Sequence, residues 1–503
     1  MFKCKQLLRR ICVVSYVFLL CGGLVNASNL VSKTNTLIGT QGNGWASGYL
    51  YPGATYPFGM VQFTPTYFTK QLGFVINQLS GAGCDHMGNF PTLPIAGALR
   101  VSPDSILNMQ TPVGKEIGTA GYYAATVDHS IRAELTVTER TGMARYTFSS
   151  KEKQGTVIIG GGVAATSIQV AAIKITGPHS CEGYAEGGAF CGIPTPYKVY
   201  FVAEFDADAE SFGTWKEERL HANHTFAEGN HSGVYFTFPL KEGNQAVQYK
   251  IGVSYVSVEN ARENLRVENP AWDFSAVRQA TQDKWNEYLG KIEVEGDNED
   301  RQMQFYTHLY RSLIHPNVCS DVNGEYMGAD SQVHKTARKF YTSFSNWDTY
   351  RTQTALIAML APEETSDIVM SHYLFAEQSG GGFPRWVLAN IETGVMQGDP
   401  TPILVANAYA FGARNYDPRT LLRTMRYGAE VPGANSQGVL TRPGLEQYLE
   451  KGYYDASILL EYTSSDFAIG RFALQACNDE PVCNWYTQRA MNWKNLFNKE
   501  TDI

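Results

Sequence analysis

Thr342-Ser-Phe-Ser-Asn-Trp-Asp-Thr-Tyr-Arg351 runs directly into an apolar stretch, Thr352 to Leu360, that is rich in Ala, Leu and Ile and stops at Pro362. An apolar run of that length closed by proline predicts a helix. Thr349 or Asp348 is placed to cap it through a side-chain oxygen, which leaves Trp347 on the preceding loop with its ring free to face a ligand. A sugar ring presents in-plane hydroxyls, which need bidentate acceptors and donors, and a C–H face, which needs a flat apolar surface. Asp348, Arg351 and Trp347 supply those three needs, with Arg351 one helical turn on from Asp348 to orient its carboxylate. The competing reading is a capped helix with the Trp in the core and a structural Asp–Arg pair.

Helical spacing continues on both sides of this run. Beyond Asn298 the predicted helices are Arg301 to Ile314, Thr349 to Leu360, Glu363 to Gln378, Pro402 to Gly412, Pro418 to Tyr427, Ser457 to Cys477 and Pro481 to Phe497, joined by loops rich in Gly, Pro and Asp. Antiparallel pairs of such helices close their core most simply as a toroid. A closed double ring of twelve helices needs roughly 350 residues, and 206 run from Asn298 to Ile503. The toroid is therefore expected to be partial.

Upstream the period changes from helical to two. Ala133-Glu-Leu-Thr-Val-Thr, Ala144-Arg-Tyr-Thr-Phe, Gly155-Thr-Val-Ile-Ile, Lys198-Val-Tyr-Phe-Val-Ala-Glu-Phe and Tyr249-Lys-Ile-Gly-Val-Ser-Tyr-Val alternate between turn residues from about Asn35 to Val267. That pattern predicts an antiparallel β-sandwich over residues 28–267. Residues 268–297 read as a helical linker, with Trp285, Leu289 and Ile292 on one face, and residues 298–503 as the helical domain.

The first residues carry Lys3, Lys5, Arg9 and Arg10, then an apolar run from Ile11 to Leu24, then Val25-Asn26-Ala27. This is the pattern of a secretory leader cleaved near Ala27, which predicts a secreted or periplasmic protein. The run is short for a membrane anchor, and Leu20 before Cys21 argues against a lipoprotein. No other stretch is apolar enough for a transmembrane anchor. Removing those residues takes the formal charge from −8 to −12, which excludes nucleic acid as a natural partner and suits a neutral ligand. Six cysteines remain: Cys84, Cys181, Cys191, Cys319, Cys477 and Cys483. In an oxidising compartment the close pairs Cys181/Cys191 and Cys477/Cys483 are candidate disulfides, while Cys84 and Cys319 are left to pair or stay free. No cysteine spacing matches a zinc cluster.

Several segments together resemble glycoside hydrolase family 92, the exo-acting α-mannosidases. Tyr51-Pro-Gly-Ala-Thr-Tyr-Pro-Phe-Gly-Met-Val-Gln62 is similar to that family's first signature, and Leu79-Ser-Gly-Ala-Gly-Cys84 to its second, a small-residue turn at the rim of the sugar pocket. Phe344-Ser-Asn-Trp-Asp-Thr-Tyr-Arg351, Gly382-Phe-Pro-Arg-Trp386, Ile391-Glu-Thr393 and Asp399-Pro-Thr-Pro-Ile-Leu-Val-Ala-Asn-Ala-Tyr409 follow in the family's order. Leu460-Glu-Tyr462 and Asn492-Trp-Lys-Asn-Leu-Phe497 extend the resemblance. It implies an N-terminal antiparallel β-supersandwich packed on a C-terminal (α/α)6 toroid, with the active site between them. It also implies calcium-dependent, inverting hydrolysis of terminal α-linked mannose, often α-1,2-linked, in a mannose-containing glycan.

The departures concern the chemistry. In the family the catalytic glutamate, the base aspartates in an Asn-Asp-Asp context and the calcium-binding Asn-Glu-Pro segment follow the stretch matched by Asn495-Leu-Phe497. This sequence ends at Ile503, so the resemblance places no catalytic acid, base or calcium ligand on any of its residues. Gly73-Phe-Val-Ile-Asn-Gln78 replaces a stretch in which the family carries histidines, and Asp399 stands where His is common. Inversion needs two carboxyl groups roughly 6.5–9.5 Å apart. The alternatives to an active α-mannosidase are therefore a non-catalytic mannoside-binding protein or an inactive fragment, the latter with an uncovered apolar edge.

The candidate substrate-binding residues are Trp347, Asp348, Arg351, Glu392 and Asp399. Glu392 follows Gly380-Gly-Gly382, whose glycines permit a close backbone approach to a ligand. Glu461, inside a helix, reads as a buried structural acid bonded to neighbouring helix ends. His221, His224 and His231 surround two glycosylation sequons, at Asn223 and Asn230, and read as an exposed loop rather than a metal cluster.

Overall fold

The computed structural model describes residues 29–40, 49–65, 73–104, 113–242, 245–498 and 500–501. The expected leader and its expected cleavage near Ala27 lie outside the described residues. The strands of the first half are β1 (Ala54–Thr55), β2 (Gln62–Pro65), β3 (Phe74–Val75), β4 (Thr92–Ala96), β5 (Val113–Thr119), β6 (Tyr122–Val127), β7 (Ile131–Val137), β8 (Thr141–Thr147), β9 (Gln154–Gly160), β10 (Ile168–Gly177), β11 (Ser180–Phe190), β12 (Ile193–Phe205), β13 (Ser211–Lys216), β14 (Arg219–Ala222), β15 (Phe226–Glu228), β16 (Ser232–Pro239) and β17 (Ala246–Ser254). They form two antiparallel sheets, in the orders β1-β2-β3-β4-β9-β16-β13-β14 and β15-β10-β11-β12-β17-β8-β7-β6-β5.

Alternation in the sequence becomes alternation of burial. Along β11 every second residue from Cys181 to Gly187 is buried, and the same rhythm runs through the start of β7. The inward residues, among them Phe63, Tyr146, Ile158, Phe201, Phe205, Phe236 and Tyr249, make one apolar core between the sheets. The antiparallel sandwich expected from period two is thus present.

Its last residues differ from expectation. Val258–Glu268, within the stretch read as sandwich, is a helix, α1, capped by the Ser257 side chain accepting from the Asn260 amide. Ala261 and Leu265 pack there on Val202 of β12. The helices continue as α2 (Phe274–Leu289), α3 (Glu299–Ser312), α4 (Asn346–Thr349), α5 (Gln353–Leu360), α6 (Pro362–Gln378), α7 (Thr401–Phe411), α8 (Pro418–Glu430), α9 (Leu445–Lys451), α10 (Ala456–Cys477) and α11 (Glu480–Ala490). α9 is absent from the sequence prediction because it is short and mostly polar. Pro481–Phe497, read as one helix, is α11 followed by a 3₁₀ turn over Met491–Leu496.

The two halves are joined by the Tyr51–Gln62 segment. The Phe58 amide donates to the Leu313 carbonyl at 2.9 Å, the Val318 amide to the Phe58 carbonyl at 2.8 Å, and the Trp285 indole to the Thr55 carbonyl at 2.7 Å. Tyr51, Phe58, Trp285, Tyr310, Leu313 and Phe344 share one buried cluster. A second cluster, with Val405, Leu421, Met425, Ile469 and Phe472, holds α7, α8 and α10 together. Leu460, Phe467, Trp485, Trp493 and Phe497 are 40–52% exposed, which leaves an apolar face on α10, α11 and the turn after them.

The disulfide pairing differs from both close pairs. Cys84 bonds Cys191, with Cα atoms 5.3 Å apart, while Cys181, Cys319, Cys477 and Cys483 are free. Cys181 and Cys191 stand at opposite ends of β11, and ten extended residues span about 33 Å. Burial pushes the Cys181 and Cys319 thiols far up, so both are expected to resist alkylation in the folded protein. Native iodoacetamide labelling should modify the half-buried Cys477 first, and peptide mapping should return a Cys84–Cys191 crosslink. A Cys181–Cys191 peptide would contradict the fold.

Candidate active site

A cavity of 490 Å³ opens where the sandwich meets the helices, and the second signature and the Phe344–Arg351 segment both reach it. Its volume lies in the range of small-molecule clefts, about 300–1,000 Å³. From the sandwich side Leu79, Ser80, Gly81 and Ala82 line it. From the helical side come Arg311, His315, Ser345, Asp348, Gln353 and Trp386.

Asp348 is exposed and sits on the single-turn helix α4. Its Oδ2 accepts a short hydrogen bond from Ser345 Oγ, and no bond to Oδ1 is formed among the described residues. Trp386, 2% exposed, is stacked on Phe190 of β11 with ring centroids 4.1 Å apart. That stack carries the sandwich core to the cavity wall. Glu392 fixes the backbone there, its carboxylate accepting from the amides of Arg385 at 2.6 Å, Trp386 at 3.2 Å and Gly394 at 2.9 Å.

Among the five candidate residues the structure places only Asp348 on the cavity lining. Neither Asp348 nor Thr349 caps α5, whose N-cap is Thr352 without a side-chain bond; the helix expected from Thr349 is split into α4 and α5. Trp347 does not keep a free ring. Its indole N–H donates to Glu461 Oε1 at 2.9 Å and the Arg351 guanidinium lies over its ring at 4.6 Å. Arg351 therefore faces Trp347 and Glu461, 3.8 Å away, and makes no bond to Asp348. Glu461, read as bonded to helix ends, is bonded to side chains instead, and its Oε2 is buried without a partner.

Glu392 is buried, and its carboxyl is raised by desolvation against the three amides that favour its charge. Asp399 is also buried; its Oδ2 accepts from Arg442 Nε at 2.8 Å, inside the helical core. Neither carboxylate reaches the cavity, because each is consumed by protein donors. His221 and His224 stack on each other at 5.2 Å at the surface, and His231 meets Asp104 at 2.8 Å.

Ser80, His315 and Trp386 are site residues that sequence reasoning passed over, although Trp386 lies in a quoted segment and Ser80 in the second signature. His315 signals its role only through packing. Its Nε2 accepts from the Ser80 amide at 2.9 Å, and His86 Nε2 accepts from the Leu79 amide at 2.7 Å. Burial lowers both imidazoles to about 4, although hydrogen bonds to the Cys84 carbonyl and to Asn317 favour their charged forms.

A folded-state pKa below the unfolded 6.5 means that the unfolded chain takes up the proton first, so stability falls as pH drops from 6.5 towards 4. Each histidine is expected to remove about 2 kcal/mol between pH 8 and pH 5. Urea unfolding at both pH values should show the drop reduced by that amount in His315→Gln. An unchanged pH dependence would contradict the assignment.

Two family models match consecutive parts of the chain: the glycosyl hydrolase family 92 N-terminal domain over residues 34–254 and the glycosyl hydrolase family 92 catalytic domain over residues 260–503. The chain belongs to glycosyl hydrolase family 92. A family 92 α-mannosidase from Bacteroides thetaiotaomicron superposes with a TM-score of 0.85 at 24% identity, covering 94% of this chain and 67% of its own. An inverting family 92 mannosidase from B. thetaiotaomicron VPI-5482 superposes at 0.84 with 25% identity, covering 94% and 66%. An uncharacterized secreted glycosidase of Arthroderma benhamiae is 25% identical over 93% of this chain, which spans 62% of that protein's length.

The second signature, at Leu79–Ala82, and the Phe344–Arg351 segment thus meet at one cavity. Calcium takes six to eight oxygen ligands. Among the described residues no group of three or more His, Cys, Asp or Glu is placed to hold a metal ion. No helix among them is long and apolar enough to cross a membrane.

Proposed function

We propose that this family 92 chain is a glycoside hydrolase whose cavity receives the terminal α-linked mannose of a glycan. The observation that carries the proposal is the joint lining of the cavity, with Asp348 presented from the helices opposite the Leu79–Ala82 turn of the sandwich. Asp348 supplies an acceptor for a pair of ring hydroxyls, and Trp386 with the small residues of the turn supplies an apolar wall. Two of the similar structures are family 92 mannosidases, one of them inverting and one solved in a further complex with mannoimidazole, which supports mannose as the sugar. Inversion and α-1,2 preference belong to the same proposal.

Among the described lining residues Asp348 is the one carboxylate. That observation favours a second reading, mannoside binding without turnover, since inversion requires an acid and a base on opposite faces of the sugar. Incubation with p-nitrophenyl α-mannoside and with α-1,2-, α-1,3- and α-1,6-mannobiose separates the two, with the product anomer followed by NMR. Release of β-mannose, fastest from the α-1,2 disaccharide, is the result expected of the hydrolase. Binding without release supports the second reading, and neither binding nor release sinks both. The calcium requirement implied by the resemblance is tested in the same assay by EDTA followed by added calcium. Secretion into an oxidising compartment is supported by the Cys84–Cys191 disulfide and by the secreted relative.

A further inference from the structure

The Leu79–Cys84 turn starts in the sandwich core at the buried Leu79, and beyond it the Gly81 amide donates to the Tyr49 carbonyl at 3.1 Å. Gly81 and Gly83 adopt φ of +80°, which glycine takes without steric cost because it lacks a Cβ, and both are exposed. Yet this turn forms the sandwich wall of the cavity. Consecutive amides at its start are bound from opposite directions: Leu79 N–H donates to His86 Nε2 and Ser80 N–H to His315 Nε2. His86 belongs to the sandwich, whereas His315 follows α3 in the helical half.

Each imidazole is fixed in the tautomer that can accept. The Nδ1–H of His86 donates to the Cys84 carbonyl at 2.6 Å, and the Nδ1–H of His315 donates to Asn317 Oδ1 at 2.7 Å. Asn317 is held in turn, its amide donating to the Gly59 carbonyl at 2.8 Å and the Ile314 carbonyl at 3.0 Å. His86 also packs edge-on to Phe190, the ring stacked on Trp386. The far end of the turn is tied by Cys84–Cys191 to the residue after Phe190.

From this geometry we infer that His86 and His315 are positioning residues for the sugar cavity, neutral acceptors that hold the Leu79–Cys84 rim at a fixed distance from Asp348. The inference rests on the mannoside assignment of the cavity, and its test has a readout that does not need a sugar. Hydrogen exchange at the Leu79 and Ser80 amides should be strongly protected in the wild-type chain. His86→Ala and His315→Ala should each raise exchange across residues 79–82 at least tenfold and weaken methyl α-mannoside binding at least tenfold. His86→Gln and His315→Gln place an oxygen near the Nε2 position and should restore both to within threefold, which separates loss of the acceptor from general unfolding. Unchanged exchange in the Ala variants overturns the inference, as does faster exchange with unchanged mannoside affinity. If the wild-type chain binds no mannoside, the proposed function fails, and exchange alone decides: unprotected amides, or no rescue by Gln, reject the positioning role.

Discussion

Replacing Arg442 with alanine is expected to lower the unfolding free energy by about 3–5 kcal/mol, the cost of leaving a buried charge without its partner. The Arg442 side chain is wholly buried and bridges two carboxylates, donating from Nε to Asp399 at 2.8 Å and from a terminal nitrogen to Asp466 at 2.7 Å. Asp466 also accepts from Arg489 Nε and from the Tyr448 hydroxyl, both at 2.7 Å. The two acids therefore fare differently. Burial raises Asp399, and Arg442 only partly offsets it; for Asp466 the same desolvation is outweighed by Arg442 and Arg489 together, which hold it low.

Without Arg442, Asp399 loses its strong partner while Asp466 keeps one. The folded-state pKa of Asp399 then rises further, and a raised carboxyl costs stability as pH climbs above its unfolded value. The deficit should accordingly be largest at pH 7 and shrink towards pH 4. Urea unfolding across that range checks it. A loss under about 1 kcal/mol at pH 7 would mean that water reaches the cluster and that α7, α9 and α10 are not packed around it as described.

Asp348→Ala is expected to weaken methyl α-mannoside binding about 100-fold, equivalent to roughly 3 kcal/mol for a pair of charge-assisted hydrogen bonds. Because the side chain is exposed, stability should change by no more than about 0.5 kcal/mol. Affinity and stability thus part company at this residue, in contrast to Arg442. Titration calorimetry beside thermal unfolding resolves them, and a variant that binds as well as wild type would remove Asp348 from the site.

The same contrast explains what the sequence made legible. Period two in β7, β9, β12 and β17 is a property of neighbouring residues, so the sandwich was readable, as were the long apolar helices α6 and α10. Asp348, singled out from its local Trp-Asp-Thr-Tyr-Arg context, does line the cavity. Trp347 was misjudged since its indole N–H needed an acceptor, and the one it found, Glu461, lies 114 positions on. Glu392 and Asp399 look like ligand acids until the amides of Arg385 and Trp386 and the side chain of Arg442 consume them. Nothing near Cys84 announces Cys191, because sequence distance along a strand is also spatial distance. His86 and His315 share that difficulty, their partners being backbone amides that any residue would provide.

Calorimetric titration with methyl α-mannoside and methyl α-glucoside, which differ only at C2, tests mannose recognition at the interface cavity most directly. The expected result is one site per chain for the mannoside, weakened about 100-fold by Asp348→Ala, with at least tenfold weaker binding of the glucoside. Equal affinity for the two sugars, or mannoside affinity unchanged by loss of Asp348, would contradict it.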